Sequence, residues 1–484
     1  MGLKSPRCGN RNDMENKNVW ENYSQKQLRE LEVFCKDYRD FLDNAKTERE
    51  AVNVIVNLCE KSGYMELEEV LKTKKKLKAG DKIYAVNMNK AIMLFNIGTE
   101  PLEKGMNILG AHIDSPRMDV KANPLYEDSS IAYFDTHYYG GIKKYQWVAT
   151  PLALHGVVVK KDGSTVELSI GDDEDDPVFF VSDLLIHLAA DQLDKKAAKV
   201  IEGEALDIIV GNRPLIIKDK KKEEDEKAKK DPVKAGVLKI LKDDYDIEEE
   251  DFLSAELEVV PAGKAREAGF DRSLILAYGQ DDRVCAFSSL FAMLQVPEVK
   301  RTSCCILVDK EEIGSVGATG MTSFYFENVI RELMNLEGKY DELKVRRCLT
   351  NSTMLSSDVS AGFDPSYVSA FEKKNAAFLG AGMVFNKFTG SRGKSGSNDA
   401  NAEYIAYIRK TLDDAKVTFQ FAELGKVDQG GGGTIAYIMA KYGMNVIDAG
   451  VAVLNMHAPY EATNKADVYE TMRGYIAFLN APGM

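Results

Sequence analysis

The sequence predicts an α/β fold: a mixed-sheet domain of alternating strands and helices that carries an inserted β-rich domain. Three observations predict it. Short apolar runs recur, and each delivers His, Asp or Glu at its end: Met106–Ala111 before His112, Leu274–Gln280 before Asp281, Ser303–Val308 before Glu311 and Glu312, Thr353–Ser357 before Asp358, and Val446–Met456 before His457. Runs that apolar are buried on both faces, as in a parallel sheet covered by helices. Between about residues 120 and 265 the pattern changes to short strands with turn residues, and from about 268 the α/β alternation resumes.

Residues 1–20 are polar, are expected to form a disordered tail without a signal peptide, and include Met14 as a candidate start. Residues 25–75 read as two helices. Leu28, Leu31, Phe34, Cys35, Tyr38, Phe41 and Leu42 repeat with helical period, and Thr47 to Glu50 is a capping-box pattern that starts the second helix. A hairpin is expected from Lys82 to Ile97, followed by the strand that ends at His112. A second hairpin is expected where Gly156–Lys161 and Ser164–Ile170 flank Asp162-Gly163. Lys218 to Asp231 is almost wholly charged and reads as a solvated loop. The insertion separates His112 from Asp281, so the expected division is 21–118 plus 268–484 for the first domain and 119–267 for the second.

The chemistry lies at the run ends. Ligands of open α/β sheets sit beyond the carboxyl ends of the strands. An isolated Glu-Glu pair is ordinarily an exposed acidic turn, and a lone histidine ordinarily a structural residue. Five such ends change that balance. Two histidines with three or four carboxylates are the donors that two divalent metals sharing a bridging carboxylate require. Zinc takes imidazole and carboxylate ligands, and manganese and cobalt accept the same mixed set. His155 and His187 read as structural, and Asp282 as a supporting residue.

In order along the chain stand Ala111-His112-Ile113-Asp114-Ser115-Pro116, Asp281-Asp282-Arg283, Asp309-Lys310-Glu311-Glu312-Ile313-Gly314-Ser315, Ser357-Asp358, Asp428-Gln429-Gly430-Gly431-Gly432-Gly433-Thr434 and Asn455-Met456-His457-Ala458. With these the chain resembles the M18 family of metalloaminopeptidases, the aspartyl aminopeptidase and aminopeptidase I group. The resemblance implies a co-catalytic metallopeptidase domain with an inserted dimerisation domain. It implies two divalent metal ions per subunit, zinc first and manganese or cobalt as alternatives. Asp281 would bridge both metals, His112 and Asp358 would complete one site, and Glu312 and His457 the other. Glu311 would be the general base that takes a proton from the attacking water, and Asp114 would orient the His112 ring. The resemblance further implies a homo-oligomer, a tetrahedral dodecamer whose active sites face an inner chamber that admits peptides and excludes folded proteins.

The glycine run Gly430–Gly433 precedes an expected helix, Thr434–Ala440. A backbone without side chains approaches a substrate closely, and its N–H groups hold a carboxylate or a developing oxyanion. Gly431, Gly432 and Gly433 are therefore candidate substrate-binding residues, with Lys387 a candidate for an acidic side chain. Two departures bear on specificity. Ala361 and Asp364 stand where the aspartyl aminopeptidase branch has histidines, and Asp183 stands where that branch has a histidine in its inserted domain. The chain is accordingly more similar to the bacterial aminopeptidase I branch, with a neutral or broad preference expected over strict Asp or Glu.

A formal charge of −13 argues against nucleic acid and anionic membrane as partners. No run approaches 18 apolar residues, and seven cysteines without C-x-x-C spacing fit a reducing cytoplasm. Other readings are an M42-like aminopeptidase, an acyl-amino-acid deacylase, and a shell-forming assembly protein without catalysis. A Rossmann dehydrogenase is the weakest alternative, since no G-x-G-x-x-G follows an early strand.

Overall fold

Four parallel strands form the centre of a nine-stranded sheet, in the order Ser303–Val308, Asn107–His112, Thr353–Ser356 and Asn445–Gly450. The computed structural model describes residues 18–216 and 230–484. The expected tail and the charged run from Lys218 therefore fall largely outside the described residues. Of the former, Val19 is buried and belongs to a short helical turn, Val19–Asn22.

The central strands are covered on both faces, as their composition predicts. Leu109, Ala111, Cys305 and Leu307 join one apolar cluster with the helices Gln25–Asn44, Gln280–Gln295 and Lys465–Leu479. The alternate residues Ile108, Cys304, Ile306 and Val308 join another with Tyr325–Leu336 and Glu342–Asn351. Period-two side-chain alternation therefore divides each strand between two cores. The outer strands add mixed pairings, with Ala91–Asn96 antiparallel to Ser303–Val308.

Of the N-terminal stripe, Leu31, Phe34, Cys35, Tyr38, Phe41 and Leu42 are buried, and Leu28 at its start is only partly covered. The Thr47 hydroxyl accepts the Glu50 N–H at 3.2 Å, and the Glu50 carboxylate accepts the Thr47 N–H at 3.0 Å, closing the capping box. A third short helix, Leu67–Thr73, follows the two expected ones. Both hairpins form, as Lys82–Asn87 with Ala91–Asn96 and Leu152–Val159 with Thr165–Ile170.

Arg117–Asp128, Ile131–Tyr139, Leu152–Val159, Thr165–Ile170, Ile208–Gly211 and Ala255–Pro261 make a separate, wholly antiparallel six-stranded sheet. Its core includes Trp147, Leu152, Leu154 and Val259.

A third sheet was not legible in the apolar runs. Arg266–Ala268, Leu274–Ala277, Glu461–Asn464, Ala452–Leu454 and Ser360–Ala361 form five short strands. Two expectations change with it. The run before Asp281 belongs to this small sheet, and Asp281 stands in the opening turn of Gln280–Gln295 with non-helical dihedrals. The run Val446–Met456 splits between two sheets at Gly450, where a Cβ would lie 2.0 Å from the Asp358 carbonyl oxygen. A close backbone approach of that kind is what glycine permits.

Candidate metal centre

Four of the predicted side chains arrive from the carboxyl ends of three parallel strands. His112 is the last residue of Asn107–His112, Glu311 and Glu312 form a helical turn just beyond Ser303–Val308, and Asp358 follows Thr353–Ser356. Asp281 and His457 come from turns that leave the small sheet. His112, His457 and Glu312 gather around Asp281, and Asp358 stands with His112 and Asp282. Asp281 Oδ1 lies 3.2 Å from His112 Nε2 and its Oδ2 lies 3.2 Å from His457 Nε2. Glu312 Oε1 is 3.4 Å from the same His457 nitrogen.

Both imidazoles are held from behind. His112 Nδ1 faces the Asp114 carbonyl oxygen at 2.9 Å and the Asp114 carboxylate at 3.3 Å, and His457 Nδ1 faces the Gly141 carbonyl oxygen at 2.8 Å. Only acceptors surround each Nδ1, so each ring carries its proton there and offers Nε2 to a metal. Asp114 does more than the sequence reading gave it. Its two carboxylate oxygens accept the N–H groups of Glu311 and Glu312, each at 3.2 Å, and so fix the turn that carries both glutamates.

The charge balance fits a cation. Asp281 Oδ1, Asp282 Oδ1 and Glu312 Oε1 are buried without a hydrogen-bond donor. Burial, with Asp281 and Asp114 adding to it, pushes the Glu311 carboxyl up to about 7. Burial and Asp281 push Glu312 well above its usual range, and burial with Asp282 and Asp281 does the same to Asp358. Burial opposes protonation of His457, yet Asp281 and Glu312 outweigh it and raise the ring to about 10. Asp281, despite burial, is held below the usual carboxylate range by the two histidines. A divalent cation is the group that relieves such mutual repulsion. Ligand atoms of His112, Asp281 and Glu312 lie within 4.8 Å of one another, as do those of His112, Asp282 and Asp358. Asp282, read from sequence as a supporting residue, thus stands at ligating distance, and its Oδ2 also accepts the His112 N–H at 3.4 Å.

The centre opens into a cavity of about 520 Å³ lined by Glu311, Asp358, Val359, Leu424, Gly431–Gly433, Tyr437 and Met456 among others. The predicted glycines are therefore on its wall. Gly432 N–H is tied to the Thr389 carbonyl at 2.9 Å. The helix after them is shorter than expected, Ala436–Ala440, because Thr434 turns inward to donate to the buried Asp448 at 2.7 Å. Lys387 is not brought in: its ammonium pairs with Asp399 at 2.5 Å, and it is absent from the cavity wall.

A family model described as aminopeptidase I zinc metalloprotease (M18) matches residues 41–479. The chain belongs to the M18 aminopeptidase I family. As an M18 protein it is a metalloaminopeptidase, a hydrolase of the zinc metalloprotease class. Its similarity to a probable M18 family aminopeptidase 1 of Clostridium acetobutylicum is 60% identity over 466 residues, 96% of this chain and 98% of that one. The crystal structure of an M18 aminopeptidase from Thermotoga maritima superposes with a TM-score of 0.89 at 45% identity, covering 96% of this chain and 99% of the other. Aminopeptidase I from C. acetobutylicum gives a TM-score of 0.87 at 57% identity, with 96% and 99% covered. The S. cerevisiae mApe1 dodecamer shares the M18 fold at 19% identity, with a TM-score of 0.73 over 93% of this chain and 97% of that one.

Besides Gly141, two residues that surround the centre were missed from sequence. Tyr139 reaches Asp114 from the six-stranded sheet, and Glu461 lies beneath Asp281 and His457. Neither ends an apolar run. The only local signal was the four-residue spacing from His457 to Glu461.

Proposed function

We propose that this metalloaminopeptidase uses two divalent ions, zinc before manganese or cobalt, bridged by Asp281, to release N-terminal residues from peptides. One observation carries the reading: a single carboxylate stands between two imidazoles, each of its oxygens facing one ring at 3.2 Å. His112 and Asp358 would hold one ion, and Glu312 and His457 would hold the other. Such a pair of ions, when bound, supplies Lewis acidity to the scissile carbonyl and to the attacking water. Glu311 lines the cavity without contacting either imidazole, so it takes the proton of that water and passes it to the leaving amine. Asp114 holds the Glu311–Glu312 turn and orients the His112 ring. Gly431–Gly433 present backbone N–H groups to the substrate.

The cavity wall supports a neutral or broad preference. Val359, Leu424, Tyr437 and Met456 line it, and no Lys or Arg does among the described residues. An acidic side chain would find no Lys or Arg partner on that wall.

The antiparallel sheet over 117–261 supports reading 119–267 as an inserted unit within a catalytic unit formed by 21–118 and 268–484. That unit exposes Leu184, Leu185, Ile186 and Leu188, each 47–66% accessible. An apolar cluster of that kind marks a subunit interface, and it supports a homo-oligomer, a dodecamer like the S. cerevisiae one. Among the described residues no helix is long and apolar enough to cross a membrane. The cysteine usage supports a cytoplasmic setting.

The test is hydrolysis of aminoacyl chromogenic substrates by metal-stripped protein resupplied separately with Zn²⁺, Mn²⁺ and Co²⁺, alongside the metal content of each sample. Two ions per subunit and faster release of Leu than of Asp or Glu are expected. One ion at full activity would overturn the dinuclear centre, and a strict acidic preference would overturn the pocket assignment. Cleavage confined to N-acylated substrates would turn the reading to a deacylase.

A further inference from the structure

We infer that Glu461 is a positioning residue of the metal centre, whose carboxylate holds the backbones of Asp281 and His457 so that both side chains reach the shared site. The inference rests on the dinuclear reading above.

Glu461 is the first residue of the strand Glu461–Asn464 and is 1% exposed. Its Oε2 accepts the Asp281 N–H at 2.9 Å, and its Oε1 accepts the His457 N–H at 2.7 Å. The two N–H groups belong to separate turns, one after Leu274–Ala277 and one after Ala452–Leu454. No backbone pairing joins those turns directly among the described residues, and the Glu461 carboxylate ties their two backbones together. Its own main chain is fixed in turn: it pairs with Ala277, and its carbonyl oxygen accepts from Gln280 Nε2 at 2.5 Å.

The His457 contact meets a conformational need. His457 stands at φ +65° and Asn455 at φ +61°, a region unfavourable for residues with side chains. A non-glycine residue keeps such a conformation only where its surroundings over-determine it. The Glu461 bond to His457 N–H, with Gly141 on Nδ1, supplies that constraint. The chemistry also selects glutamate. Both oxygens of a carboxylate accept, whereas an amide has one acceptor and would turn an NH₂ toward one of the two N–H donors.

The experiment is zinc titration of metal-stripped protein against a competing chelator, for wild type, Glu461→Gln and Asp467→Asn, with kcat and KM measured after reloading. Asp467 is a matched control. It is equally buried and holds two backbone N–H groups, those of Gly380 and Gly382, each at 2.7 Å, with no contact to the centre. Glu461→Gln is expected to weaken zinc binding tenfold to about a hundredfold and to lower kcat with little change in KM. Asp467→Asn is expected to lower thermal stability while keeping wild-type zinc affinity. Wild-type affinity in Glu461→Gln would overturn the inference, and so would an equal loss in Asp467→Asn, which would assign the effect to general destabilisation. Should Glu461→Gln not fold, Glu461→Asp keeps both acceptors but is one methylene short of spanning the two donors. It is expected to show the same loss, and wild-type affinity there would also overturn the inference. Wild-type protein that takes up no zinc would overturn the dinuclear reading and this inference with it.

Discussion

The Tyr139 hydroxyl donates to Asp114 Oδ2 at 2.7 Å, joining the six-stranded sheet to the carboxylate that fixes Glu311 and Glu312. Arg117 lies 4.0 Å from the Tyr139 ring centroid and pairs with Glu48 and Glu258, so the ring is held in place. Tyr139→Phe keeps the ring and removes the donor. Zinc affinity of the stripped protein is expected to fall about tenfold, with the fold intact by circular dichroism. Unchanged affinity would leave the contact without a role in the centre.

The roles proposed for the neighbours Glu311 and Glu312 are separable by experiment. Glu311→Gln is expected to lower kcat by at least about a hundredfold while two ions remain bound. Glu312→Ala is expected to lose metal first and activity as a consequence. Metal analysis beside kinetics separates them, and full occupancy in Glu312→Ala would remove it from the ligand set.

Gly431 has φ +108°, and a Cβ there would lie 2.5 Å from the Ser391 Cα. Gly433, two residues on, has open space at the same position. Gly431→Ala is expected to lower kcat/KM by ten- to a hundredfold, from about 1–3 kcal/mol of backbone strain at the cavity wall. Gly433→Ala is expected to be far milder. Equal kinetics for the two variants would mean that the loop does not shape the cavity.

His155 carries a prediction about stability against pH. Its ring lies between Glu50 at 2.7 Å and Asp172 at 3.2 Å, and Asp172 also pairs with Lys46 at 2.5 Å. Burial opposes protonation of His155, but the two carboxylates outweigh it and raise the ring to about 9. A raised folded value means that the protonated ring stabilises the fold fully below the unfolded value near 6.5, and that this stability fades as pH climbs through about 9. His155→Gln is therefore expected to cost on the order of 3 kcal/mol near pH 6 and much less near pH 10. Urea midpoints of both proteins at the two pH values check this. A cost that grows with pH would reverse the assigned sign.

His112, Glu311, Glu312 and Asp358 were legible as candidates because they sit where strand periodicity places them. An apolar run followed by His112, by Glu311 and Glu312, or by Asp358 marks the carboxyl end of a buried parallel strand, and those strands form the sheet centre. The third sheet was not legible. Its strands of two to four residues are too short to show a period, so Asp281 and His457 seemed to end long runs when they stand in turns. Lys387 pairs with Asp399 away from the cavity wall, and a sequence shows a cation but not its partner.

The sequence by itself determined the α/β class, the two capped N-terminal helices, both hairpins and the residue types that gather at the centre. These follow from local rules: side-chain period, capping chemistry and turn residues. Only the tertiary structure decided how the donors are held. Tyr139, Gly141 and Glu461 act on residues far along the chain or across a turn, Glu461 on two of them, through hydrogen bonds 2.7–2.9 Å long. Contacts of that kind leave no periodic trace, because their direction is set by where separate sheets meet.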